Sequence, residues 1–191
     1  MKSRAVEQGF SLIEVLMATA MIGIIAGMGL PLLGDVADSI KLGEAARQVE
    51  RELQTARMTA VSANRPVRVR FNCPGLREYR MVELIGTSTV PAAGDSAANR
   101  CAIASYPYPA ADRNPLTVPN NDGPVRIVDS TVTFQQSTTI EFWADGSAHA
   151  PVGLVNPWPL IASPGTNIIL LRKLKTRTIV VNSIGKVQLL P

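Results

Sequence analysis

Two hydrophobic periods divide this chain. From Val15 to Gly34 there are 20 residues without a charged side chain, and at ~1.5 Å of rise each they make a helix of roughly 30 Å, about one bilayer core. The pattern predicts a membrane span over about 12–34. Further on, the apolar residues narrow to a stripe: Leu42, Ala45, Ala46, Val49, Leu53, Ala56 and Ala60 recur at three- and four-residue steps, with Lys41, Glu44, Arg47, Arg51 and Arg57 filling the rest of the circumference. That spacing belongs to a helix with one buried face. Asn64 and Pro66 end it, because proline pushes the residue before it out of helical backbone and cannot continue the hydrogen-bond ladder. Residues 10–64 are therefore expected to form one helix, its first half in lipid and its second half covered on one side.

Beyond Pro66 the period drops to two. Val67, Val69 and Phe71 alternate with Arg68 and Arg70, and Tyr79 to Leu84 pairs back through a turn at Pro74-Gly75. Residues 86–124, rich in Ala, Ser, Asn, Pro and Gly, read as an irregular surface excursion. Strands are expected again at Thr131–Phe134, Thr138–Trp143, Asn167–Leu171, Arg177–Asn182 and Lys186–Leu190, forming one antiparallel set with turns at Asp145-Gly146 and Gly185. The predicted class is α+β: a long N-terminal helix packed on an antiparallel β-sheet domain over 65–191.

Charge sets the orientation. Lys2 and Arg4 precede the apolar run while Asp35 and Asp38 follow it, so the positive-inside bias holds the N-terminus in the cytoplasm and sends the domain outward. The run continues into polar helix instead of a small-residue cleavage site, which distinguishes it from a secretory signal. Formal charge is +4 over 191 residues; Lys2 and Arg4 against Glu7 leave +3 for the chain from Phe10 onward, too little to imply nucleic acid by itself. Cys73 and Cys101 fall in the outward part, where they either pair or remain as thiols.

Glu14 breaks the apolar pattern. A carboxylate in a spanning helix is costly, on the order of 2.5–3.5 kcal/mol on insertion scales, so it calls for a cation. A cut between Gly9 and Phe10 would create an α-amino group four residues away, on the same chain or a neighbouring copy.

The string Gly9-Phe10-Ser11-Leu12-Ile13-Glu14-Val15, behind a leader holding Lys2 and Arg4, resembles the class III signal of type IV pilins and type II secretion pseudopilins. The resemblance implies a leader over 1–9, cleavage after Gly9 by a prepilin peptidase, N-methylation of Phe10, and Glu14 as the carboxylate that docks subunits into a filament. It also implies a periplasmic domain on an inner-membrane anchor, with other pilin subunits and an inner-membrane assembly platform as partners. Gly23 and Gly27 make a small-xxx-small pair, and Gly29, Pro31 and Gly34 weaken the helix, as in the segment where filament spines pack and partly melt. The run Leu53–Val61 into Asn64-Arg65-Pro66-Val67, the turn Phe142–Ser147 and the stretch Ile179–Val187 resemble minor pseudopilins of the GspH/FimT type.

No catalytic constellation is visible, and no cofactor or metal is expected. His149 is the only histidine and reads as a solvent-facing residue after a hairpin; there is no Gly-rich phosphate loop. Some FimT-type minor pilins bind DNA through an arginine-bearing C-terminal motif that begins with glycine. Here that place reads Gly185-Lys186-Val187-Gln188, a departure from the motif, while Arg172, Lys173, Lys175, Arg177 and Lys186 offer cations that would neutralise phosphates without reading sequence. Three functions follow: a non-enzymatic filament subunit of a secretion pseudopilus or pilus tip, a DNA receptor of a transformation pilus, or an unassembled membrane-anchored binding domain.

Overall fold

The computed structural model describes residues 10–90, 92–96, 98–101, 122–153 and 155–190, with the side chains of 28–33, 93, 96, 98 and 99 outside that set. The leader 1–9, Gly9 included, and most of the 86–124 excursion thus lie outside the described residues. The chain falls into two units, one ending at Ser39 and one running from Ile40 to Pro191.

Helix α1, Leu12–Ala63, runs unbroken, including the positions around Pro31 and Gly34 where weakening was expected. In the first unit every described side chain from Phe10 to Gly27 is exposed. Among the described residues no helix is long and apolar enough to cross a membrane; the expected span 12–34 takes in residues 28–33, whose side chains are outside the described set.

In the second unit, Leu42, Ala45, Ala46, Val49, Leu53, Ala56 and Ala60 are the buried apolar residues of α1, as their spacing predicts. The helix stops through Asn64, which takes a left-handed φ of 52°, while Arg65 N–H reaches the Ala60 carbonyl at 3.2 Å. Asparagine tolerates that conformation better than most residues.

The strands form two sheets instead of the single set expected. The first contains β1 (Val67–Phe71), β2 (Glu78–Glu83), β3 (Arg126–Ile127), β5 (Ile140–Phe142) and β6 (Ala148–His149), in the order β3-β2-β1-β5-β6. The second contains β4 (Thr133–Gln136), β7 (Thr166–Arg172), β8 (Lys175–Val181) and β9 (Val187–Leu190), in the order β4-β7-β8-β9. All paired strands are antiparallel. The start of the 86–124 excursion carries a short helix α2 (Ala93–Ser96) and a 3-10 turn (Ala98–Cys101). Helix and both sheets share one core, with Val67, Val69, Tyr79, Ile140 and Phe142 from the first sheet and Ile168, Leu170, Ile179 and Val181 from the second.

Strand alternation places Arg68 on the face of the first sheet away from that core, yet it is 3 % exposed and its partner Glu141 1 % exposed, with Nε and Oε2 2.7 Å apart. Glu141 also accepts from the Trp143 indole at 2.7 Å, and the Arg68 guanidinium stacks 4.0 Å over the Trp158 ring. On the same sheet Arg80 donates to the Gly123 carbonyl at 2.7 Å, and the buried Arg100 binds Asp122 at 2.9 Å. The second face is thus a buried polar layer, in which Arg68 is paired with Glu141 and Arg100 with Asp122, as burial requires.

The turns that contact α1 lie at the two ends of its segment within this unit. At the Arg57 end, Arg57 Nε donates to the Gly146 carbonyl at 3.0 Å, and Gly185, with φ 73°, packs so tightly that an added Cβ would lie 2.2 Å from that same oxygen. At the Lys41 end, Asp129 pairs with Lys41 at 3.8 Å and with Arg172 at 3.1 Å. The β1–β2 turn lies there too, since Arg77 accepts from Val128 N–H and donates to the Ser130 carbonyl.

Candidate assembly site

Ser11 sits at the N-cap position of α1, its carbonyl accepting from the backbone N–H of Glu14 at 3.0 Å and of Val15 at 3.2 Å. Glu14 is then the third helical residue, and Ser11-Leu12-Ile13-Glu14 has the S-x-x-E spacing of a capping box. The first turn exposes unsatisfied N–H groups and the positive end of the helix dipole, which favours a carboxylate at this place. The helix start is thus a second, local reason for a carboxylate at position 14, beside the cation that burial in lipid calls for. Phe10 is 83 % exposed, and Leu12, Ile13, Val15 and Leu16 are exposed beside it. Gly23 and Gly27 have nothing within 4 Å of an added Cβ, so their smallness serves no contact among the described residues.

Cys73 and Cys101 are joined in a disulfide, which ties the start of the β1–β2 turn to the end of the 3-10 turn. Both are buried.

The cations proposed for DNA do not form one cluster. Arg172 is buried and bonded to Asp129, because it closes the inward-facing row of β7 after Ile168 and Leu170. Lys173 is exposed at the β7–β8 turn with Lys175 beside it. Lys186 sits beyond the other end of β8, next to Asn182, about 20 Å away at the rise of an extended strand. Arg177 lies between, half-buried.

His149 is also not where the sequence reading put it. It is buried on β6, stacked on Trp143 with ring centroids 3.6 Å apart and planes 9° apart. Nδ1 lies 2.8 Å from the Trp158 carbonyl and Nε2 3.0 Å from the Ser147 hydroxyl, which itself binds Asp145. The serine therefore lies between carboxylate and imidazole, whereas a nucleophilic triad places the imidazole in the middle. The Ser147 hydroxyl and backbone N–H hold the Asp145 carboxyl below the usual carboxylate range. Among the described residues no three His, Cys, Asp or Glu side chains gather in a metal-holding group.

Comparison with known proteins adds two family matches: residues 45–185 match the type II transport protein GspH, and residues 4–30 match the prokaryotic N-terminal methylation motif. No curated protein matches the chain. Among solved structures, two crystal forms of the type IV minor pilin FimU from Pseudomonas aeruginosa are similar at 18 % identity over 78 % of this chain, covering 88 % and 93 % of theirs, with TM-scores of 0.46 and 0.44. The GspH match spans most of the covered half of α1, every strand except β9 and the turns that Arg57 ties together, and the methylation motif takes in Phe10 and Glu14: the chain belongs to the GspH family of minor pilins and pseudopilins.

Proposed function

We propose that this chain is a non-enzymatic minor subunit of a type II secretion pseudopilus or a type IV pilus tip. It is held in the inner membrane by the apolar half of α1, cut between Gly9 and Phe10 by a prepilin peptidase, methylated at Phe10, and docked onto its neighbours through Glu14. The observation that carries the reading is the apolar surface of the first unit, exposed from Phe10 to Gly27 with one carboxylate in its first turn. Such a surface is stable only in lipid or against other helices, and Gly23 and Gly27 leave room for close approach.

The chemistry of docking follows from the cut. Hydrolysis after Gly9 frees the Phe10 nitrogen as a cation beside a helix start that already favours anions. Glu14 of one subunit meets the α-ammonium of the next, and in a low-dielectric filament core that pairing fixes the axial register. The assembly platform would accept the processed helix and add it to the fibre.

Mass spectrometry of the native N-terminus tests processing: a chain starting at N-methyl-phenylalanine supports the reading, and one starting at Met1 refutes it in favour of an unassembled anchored domain. Glu14→Ala is expected to insert normally and to be depleted from isolated filaments; incorporation at the wild-type level refutes the docking role. Identifying the major subunit that co-purifies distinguishes a secretion pseudopilus from a pilus.

A further inference from the structure

We propose that the end of the β-rich unit where α1 enters it is a lipid-contacting surface, on which Leu76 and Leu174 enter the interfacial layer of an anionic bilayer while Arg77, Lys173 and Lys175 engage headgroup phosphates. The proposal rests on the membrane-anchored reading above.

Two turns meet at this end, and each projects a leucine. Leu174, at the tip of the two-residue β7–β8 turn, is 99 % exposed, and Leu76, in the β1–β2 turn, is 80 % exposed. Each is flanked by cations in sequence: Lys173 and Lys175 around Leu174, and Arg77 after Leu76. Both turns are bound to the segment 128–131, Arg77 through Val128 and Ser130, and the β7–β8 hairpin through Arg172 to Asp129. Asp129 in turn pairs with Lys41, one residue into this unit. The two leucines are therefore held by one bonded segment at the Lys41 end.

Backbone conformation adds an independent sign. Arg77 and Lys173 both have left-handed φ, 68° and 52°. The two-residue β7–β8 hairpin would ordinarily place glycine, asparagine or aspartate at such a position, and Arg77 lies in the longer β1–β2 connection between Phe71 and Tyr79. Here the turns accept strained backbone at long cationic residues and set leucine next to them, the least favourable residue for a water-facing tip. Strained positions of this kind cluster where function requires them.

Chain continuity identifies the occupant. Lys41 follows Gly34, the last residue of the apolar run, by seven residues, and even fully extended these reach no more than about 25 Å. A bilayer that holds the apolar run therefore lies within reach of the Lys41 end, whatever angle the two units adopt. Leucine between lysines matches an anionic interface: the apolar side chain passes the headgroups and the ammonium groups remain at the phosphates. Each such cation near an anionic surface contributes about fivefold in partitioning.

The test uses the full chain in proteoliposomes. With Cys73 and Cys101 bonded to each other, Leu174→Cys provides a single thiol for an environment-sensitive fluorophore, and Ala18→Cys, labelled in parallel, reports the anchor. In vesicles of phosphatidylcholine with phosphatidylglycerol, the label at 174 is expected to shift to the blue and to be quenched by shallow spin-labelled lipid. Pure phosphatidylcholine, high salt, or the added reversal Lys173→Glu/Lys175→Glu should lower the ratio of inserted to aqueous label by on the order of 25-fold, about fivefold for each of two cations. A label at 174 that stays aqueous in both vesicles while the label at 18 is quenched overturns the proposal and leaves the anchor intact. If the label at 18 is not quenched either, the anchored reading falls and takes this one with it. A shift at 174 that appears only on adding duplex DNA or a second pilin also overturns it, assigning the tip to that macromolecule.

Discussion

Removing Glu141 is the most informative perturbation of the β-rich unit. Arg68 and Glu141 are buried at 3 % and 1 % exposure with a 2.7 Å contact, and breaking a buried pair from one side costs about 3–5 kcal/mol because the other charge stays in a low-dielectric site. Glu141→Leu also strands the Trp143 indole N–H, now 2.7 Å from the carboxylate. A domain of this size has a total stability of about 5–15 kcal/mol, so the variant should be marginal, with a melting temperature lower by about 10–15 °C. Arg68→Met/Glu141→Leu removes both charges and is expected to return to within about 2 kcal/mol of the parent, leaving a large coupling energy in the cycle. Both tryptophans, Trp143 and Trp158, lie in this unit, so fluorescence-monitored melting of the full chain in detergent, with circular dichroism alongside, follows its unfolding. If Glu141→Leu melts within 2 °C of the parent, or if the double variant is no better than Glu141→Leu alone, the paired-charge argument is wrong.

Three further outcomes are expected. Gly185→Ala should cost about 2–4 kcal/mol in a thermal melt, since its Cβ would fall 2.2 Å from the Gly146 carbonyl at a φ of 73°; Gly153→Ala, at φ 59° with nothing within 4 Å, should cost about 1 kcal/mol. Reducing the disulfide, which spans a sequence separation of 28, should lower stability by about 3–4 kcal/mol, measured as the difference between melts with and without a dithiol. The Asp129 carboxyl is held below the usual carboxylate range chiefly by hydrogen bonds from the Thr131 hydroxyl and backbone N–H, and that of Asp145 by the equivalent bonds from Ser147. Both therefore contribute stability above pH ~4 that is lost as pH falls through their lowered native values, and Thr131→Val or Ser147→Ala should move the acid-unfolding midpoint upward.

The helix was legible because its evidence is local: Leu42, Val49, Leu53 and Ala60 declare a buried face by spacing alone, and every one of them is buried. Strand alternation was equally plain at Val67 and Val69. What it could not convey is whether the second face is covered, since Arg68, Glu141 and His149 look like solvent positions until Trp158 and the residues around Asp95 close over them. The split into two sheets escaped for a related reason: pairing β5 with β1 and β4 with β7 depends on contacts across long separations that no local window contains. At the N-terminus the motif Gly9–Val15 is plain in the sequence, whereas the S-x-x-E spacing of Ser11 and Glu14 gains meaning only once the helix is seen to start at Leu12. Arg172 was grouped with the other cations by sequence proximity, whereas its place in the inward row of β7 turned it to Asp129.

A rod pulled along its axis tends to slip past whatever it is packed against, and an alanine-rich seam such as Ala45, Ala46, Ala56 and Ala60 offers little interlocking to resist it. Here the seam is pinned at both extremities, by Lys41 to Asp129 and by Arg57 to the Gly146 oxygen. Sliding by a single turn would break both contacts, the Arg57 hydrogen bond and the weaker, half-exposed Lys41 pair, so tension along this part of the helix is met by turns at both of its ends.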